Sequence, residues 1–117
     1  EKLFKNAQRI RRLVVDAMTN LFKEYDGLIM PNAGSIAPRF TDEMDRLSEK
    51  HLLLENHLAI GNFGGFPSIT IPSGIIDDMP VAINITGPIK TDDVVCNIAN
   101  KLEEKIGFVP LSVKEEN

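Results

Sequence analysis

The sequence has 117 residues, one domain's worth of chain at most, and it is 43% hydrophobic and 26% charged, an ordinary mix for a soluble globular protein. A net charge of -4 argues against a nucleic-acid surface built on bulk positive charge, and no apolar run is long enough to span a bilayer. The single cysteine, Cys96, excludes an internal disulfide framework and a cysteine-based zinc site, and it fits a reducing cytoplasm.

The chain opens at Glu1, without a methionine or a signal-peptide pattern, as a piece of something longer would. Leu3, Ala7, Ile10, Val14, Ala17, Leu21 and Tyr25 recur at spacings of three and four, and Phe4, Leu13, Met18 and Phe22 widen the stripe. This periodicity predicts an amphipathic helix over residues 2–25. Lys2, Lys5, Arg9, Arg11 and Arg12 fall mostly on its polar side, which reads as a solvated face before it reads as a phosphate site. Asp26-Gly27 stops the helix, and Leu28-Ile29-Met30 reads as a short buried strand closed by Pro31. Residues 32–40 read as loop.

Thr41 is a cap for a second helix, with Asp42 and Glu43 in its first turn favouring the dipole. Leu47, Leu54 and Leu58 give that helix an apolar face, and "GNFGGFPSITIPSG", Gly61 to Gly74, ends it. Ser68-Ile69-Thr70-Ile71 alternates as a strand should, and Pro72 breaks it. Asp77-Asp78-Met79-Pro80 is turn chemistry, and Val81 to Thr86 alternates again. That spacing gives a hairpin whose connection is longer than two residues. Thr91, Asp92 and Asp93 open a last helix with Val94, Val95, Ile98, Ala99, Leu102 and Ile106 inward. Gly107 caps it, and residues 114–117 are a frayed tail. The sum is an α/β arrangement of three short strands with three flanking helices, a single segment over residues 1–117.

Few side chains are spaced for chemistry. His51 and His57 are six apart, which a helix turns to different faces, whereas a zinc pair wants a spacing near four. His51 and Glu55 are four apart and read as a helix-surface pair. Serines 35, 48, 68, 73 and 112 carry no nucleophile elbow. Asp77-Asp78 reads as a solvated turn, and Cys96 as a core residue within an apolar stripe. The glycine stretch fails the phosphate-loop pattern, because it is followed by a strand instead of a helix N-terminus and has no Gly-Lys-Ser/Thr. Glycines at positive φ, or a backbone passing close to something, remain the physical reading.

Three separated blocks carry a family resemblance. Asn62-Phe63-Gly64-Gly65-Phe66-Pro67 with the strand and Pro72-Ser73-Gly74 behind it, Met79-Pro80-Val81-Ala82-Ile83-Asn84-Ile85-Thr86-Gly87, and Lys23-Glu24-Tyr25-Asp26-Gly27-Leu28-Ile29-Met30-Pro31 resemble blocks in the C-terminal part of the amidase-signature family. The resemblance runs over nearly all of residues 5–105, and within the family it is strongest to the tRNA-dependent amidotransferase branch. It implies the C-terminal piece of the amidase-signature fold. It further implies amide chemistry by two serines, one held by a cis peptide, and a lysine, none of which lies in this chain. No catalytic residue and no metal ligand is then expected here; the segment supplies pocket wall and sheet edge.

Carried over residue by residue, a family aspartate that meets the amino group of glutamine falls on Glu55, and Gly64 and Gly65 let the loop pass beside the catalytic core with Phe63 and Phe66 around it. The branch implies ammonia taken from glutamine for a misacylated tRNA. Its partners are the B and C subunits of the amidotransferase, glutamine and charged tRNA. ATP and Mg belong to the whole complex, and none is bound by this segment. An isolated piece with uncovered strand edges is expected to self-associate. A stand-alone interaction module of the same fold and a small ligand-binding domain built on the glycine loop are the other two readings.

Overall fold

A computed structural model describes residues 1–37 and 58–107. The helix α1, Lys2–Leu21, follows the apolar stripe, but only its C-terminal half is covered: Met18 is buried and Val14, Val15, Leu21 and Phe22 are half-buried. It stops about a turn short of the expected end. The amides of Lys23 and Glu24 bond three residues back, to Asn20 and Leu21, and these bonds tighten the chain into a closing turn that ends at Tyr25, which is exposed. Strand β1, Leu28–Pro31, takes in the proline that was expected to close it.

The helix predicted from Thr41, together with Glu55, His51 and His57, lies outside the described residues, as do Ser48, Ser112 and the tail at 114–117. What is described next is a short helix, α2, Ala59–Gly64. The glycine stretch therefore does not simply end a helix, because its first four residues, Gly61 to Gly64, are themselves helical. Strand β2 runs over Ser68–Ile76 and β3 over Met79–Thr86. Pro72 does not break β2. It sits beside a bulge between Pro72 and Gly74, on a strand that is an edge among the described residues, where a missing N–H is tolerated.

The hairpin connection is also shorter than expected. Ile76 pairs with Met79, so Asp77 and Asp78 alone make the turn, with φ of 49° and 61°. Positive φ at both positions is the tight turn whose twist suits two strands, and aspartate is among the few residues that accept it. The last helix, α3, spans Asp92–Ile106 and ends at Gly107 with φ 63°. Thr91 directs its hydroxyl to the carbonyl of Pro88 at 2.7 Å.

The sheet is antiparallel in the order β1-β3-β2. Alternation divides it into two chemically different faces. Ile69, Ile71, Ile83 and Ile85 lie on one, against α3, and form a core with Val95 and Ala99. Ile98, Leu102 and Ile106 pack around this core as expected, but Val94 and Cys96 point outward. Cys96 is thus an exposed thiol and not a core residue: one helical stripe cannot bring 94, 95 and 96 inward together, and Val95 takes the place. Leu28, Met30, Ser68, Thr70, Asn84 and Thr86 share the other face. No helix among the described residues is long and apolar enough to cross a membrane.

Candidate functional site

The glycine-rich junction between α2 and β2 is held from three sides. Within the chain, the Gly61 carbonyl accepts from the amides of both Gly65, at 2.9 Å, and Phe66, at 3.1 Å. This double closure ends α2 with Gly65 in the left-handed region, φ 74° and ψ 29°. From α1, the Arg11 Nε donates to the Phe63 carbonyl at 2.6 Å, near the helix end where a cation is favoured. Below, the buried Phe66 ring meets Phe22 at the end of α1 with centroids 5.6 Å apart and planes tilted by 58°.

The two expected glycines have different reasons. A Cβ at Gly64 would fall on the Phe66 ring, so Gly64 serves close approach. A Cβ at Gly65 would meet nothing within 4 Å, so only its backbone angle demands glycine. Gly65→Ala is expected to lower unfolding free energy by about 1–2 kcal/mol, the cost of a left-handed L-residue, and Gly65→Asn by clearly less. Urea midpoints compare the two; equal losses would mean that φ is not what selects this glycine. Phe63 is exposed and does not pack around the loop as expected, whereas Phe66 does.

Beyond the junction, a polar row crosses the second face of the sheet. Asn84 Nδ2 donates to Ser68 Oγ at 2.8 Å and to Thr70 Oγ1 at 3.2 Å, and Asn84 Oδ1 accepts from Thr86 Oγ1 at 3.0 Å. Thr70 Oγ1 in turn donates to Asn32 Oδ1 at 2.9 Å. Asn84 is 4% exposed and Thr86 2% exposed, so each needs these partners to offset burial. Ser68 has an amide and a hydroxyl beside it, and among the described residues no base is bonded to it that would activate it as a nucleophile. Ser73 donates to the Val81 carbonyl at 3.3 Å, a strand-pairing contact.

Sequence reasoning missed this row and Arg11. The alternation of Asn84 and Thr86 with Ile83 and Ile85 placed both polar residues on one face, but pairing across 14 to 18 positions leaves no local signal. Arg11 sat unmarked among five cations.

A groove of about 650 Å³ opens at the other end of the sheet, between the Asn32–Ala37 loop and the hairpin. Its lining among the described residues includes Asn32, Ser35, Ile36, Ser73, Ile76 and Val81 but no ionisable side chain, so among these residues it offers no acid, base or charged anchor. The junction, with its convergent backbone groups, is the better candidate site. Among the described residues no three His, Cys, Asp or Glu side chains converge on a point where a metal could sit.

Comparison with known proteins follows the same segment. Residues 1–96 match the family model described as Amidase. The chain is 33% identical over 109 residues to the glutamyl-tRNA(Gln) amidotransferase A subunit of Fusobacterium nucleatum subsp. nucleatum, covering 92% of this chain and 22% of that protein. It is 29% identical over 105 residues to the protein of the same name from Clostridium botulinum, covering 90% and 21%. The crystal structure of the protein of that name from Thermotoga maritima superposes with a TM-score of 0.79 at 26% identity, over 86% of this chain and 22% of that one. A crystal structure of an amidase shares the fold at 21% identity and a TM-score of 0.73, over 90% of this chain and 25% of that one. The chain spans about a fifth of the length of the curated relatives it matches.

Proposed function

The chain belongs to the amidase family, and from that premise we propose that it is the C-terminal segment of an amide-transferring enzyme, contributing pocket wall and not nucleophile. The observation that carries this is the pairing of near-complete coverage of this chain with about a fifth of each relative. The proposed whole enzyme is one component of a glutamine-dependent amidotransferase, the one that releases ammonia from glutamine to convert Glu-tRNA(Gln) into Gln-tRNA(Gln) in the cytoplasm. Its proposed partners are the B and C subunits and the charged tRNA.

In this reading the two serines and the lysine come from sequence beyond this chain. The junction of α2 and β2 brings backbone close to them, fixed by Arg11, Phe22 and Phe66, and Glu55 meets the amino group of glutamine. In this reading the ATP and Mg belong to the whole complex and not to this segment: among the described residues no three His, Cys, Asp or Glu side chains group together, and the glycines lead into a strand and not into a helix N-terminus.

The test is glutaminase turnover by the purified chain. Without nucleophile or base it is expected to release no ammonia above a buffer blank; turnover that survives repurification would end the proposal. An amide hydrolase of the same family acting on another substrate is the second reading, favoured by the likeness to the amidase fold in general.

The isolated chain is also expected to self-associate. Among the described residues β1 and β2 each have a strand on one side only, and Leu3, Phe4, Ile10 and Leu13 are exposed on α1. Open edges and apolar patches drive pairing, most simply as a symmetric dimer. Sedimentation at micromolar concentration should show a dimer; a monomer with a cooperative melt would favour a self-sufficient module.

A further inference from the structure

The apolar stripe of α1 is continuous, but its cover is not. Met18 is 8% exposed, and Val14, Leu21 and Phe22 are half-buried, all in the C-terminal half. About one and three turns before Val14 the same stripe runs on through Ile10, 62% exposed, and Leu3, 85% exposed, with Phe4 and Leu13 on its two flanks at 66% and 68%. Single exposed apolar residues need no explanation, but a run of them from Leu3 to Leu13 that extends a buried seam does. A helix half-length of this kind, exposed along its stripe, is also marginal in water by itself.

We propose that the N-terminal half of α1 is the seam against the part of an amidase domain that this sequence does not include. This rests on the reading of the chain as an amidase segment. The length of the relatives supports this occupant: the aligned region is 92% of this chain but 22% of the Fusobacterium protein, and the Thermotoga protein keeps the same fold here within a chain of similar proportion. Charge supports it as well. Lys5 pairs with Glu1 at 2.6 Å, Arg12 pairs with Asp16 at 3.0 Å, and Arg11 is bonded to the Phe63 carbonyl. Three of the helix's cations are thereby engaged within the chain. The stripe between them suits an apolar protein face and not a phosphate backbone.

The test is a chimera in which this chain replaces the aligned 109 residues of the Fusobacterium protein. Leu3→Cys and Ile10→Cys are introduced singly in a Cys96→Ser background, and maleimide labelling at each site is followed by mass spectrometry. Rates are normalised to the urea-unfolded protein. In the folded chimera both sites should label at least about tenfold more slowly than in the isolated chain at nanomolar concentration. Equal rates would overturn the seam. So would a chimera that aggregates where the parent protein is soluble, because a body that fits should close over the stripe. Protection of the chimera that appears only as its concentration rises would assign the stripe to a second copy instead. Amide hydrolysis by the chimera is read separately. Protected sites without hydrolysis keep the seam and count against the proposed function; hydrolysis with unprotected sites does the reverse.

Discussion

Ile85→Ala is expected to lower the unfolding free energy by about 2–5 kcal/mol, the range for emptying a buried aliphatic site. Ile85 has no exposed surface and lies on the central strand β3, between Ile69 of β2 and Ile29 of β1 in register and against Val95 and Ala99 of α3. Every neighbour that could collapse into the space is itself tied to a strand or helix. Against a total of about 5–15 kcal/mol for an ordinary domain, the variant sits near the edge of folding. Ile85→Val should cost only about 0.5–1.5 kcal/mol. Ile29→Ala is the internal comparison, because Ile29 shares the face but is 52% exposed. Urea denaturation followed by circular dichroism ranks the three. A loss at Ile29 equal to that at Ile85 would mean that the core is not centred on α3.

Glu55→Gln, made in the full-length enzyme, is expected to weaken glutamine use by about 1–3 kcal/mol, the scale of a hydrogen bond to a charged group. As kcat/KM for glutamine this is a fall of roughly 5- to 150-fold. The variant keeps size and hydrogen-bonding atoms but removes the charge that, under the proposed function, would attract the ammonium of glutamine. Glu55→Asp keeps the charge and should retain most of the activity, since the family pattern has an aspartate at the matching position. An unchanged kcat/KM in Glu55→Gln would reduce the residue to a helix-surface carboxylate.

Element identity was legible where periodicity was strong and a terminator was local. The α1 stripe, the alternation of Val81 to Thr86 and the acidic opening and Gly107 closing of α3 each carried their own signal. Bounds failed where tertiary context overrode a local rule. Pro72 reads as a strand breaker only if every strand is central, and among the described residues β2 is an edge with a bulge. Asp77-Asp78 lacks glycine, so the two-residue turn it makes was hidden. Cys96 shared a run of apolar residues with Val94 and Val95, but a helix admits one of the three. Of the site, the glycine pattern was visible together with its family likeness. The two causes beneath it, the Phe66 ring under Gly64 and the backbone angle of Gly65, were not. Nor was Arg11, whose bond to Phe63 spans 52 positions.

The core has a further consequence for the order in which the molecule comes apart. Ile71, Ile85, Val95 and Ala99 all belong to the stretch from β2 to α3, whose two strands are joined by the Asp77-Asp78 turn. Such a unit closes short loops at small entropic cost and can hold together as one cooperative block. The helix α1 reaches that block through a few contacts with α2 and the Phe22–Phe66 pair. Its opening should therefore leave the hairpin and α3 intact. Amides of β2, β3 and α3 would then be the last to exchange with solvent, while those of α1 exchange from a state in which the rest is still folded.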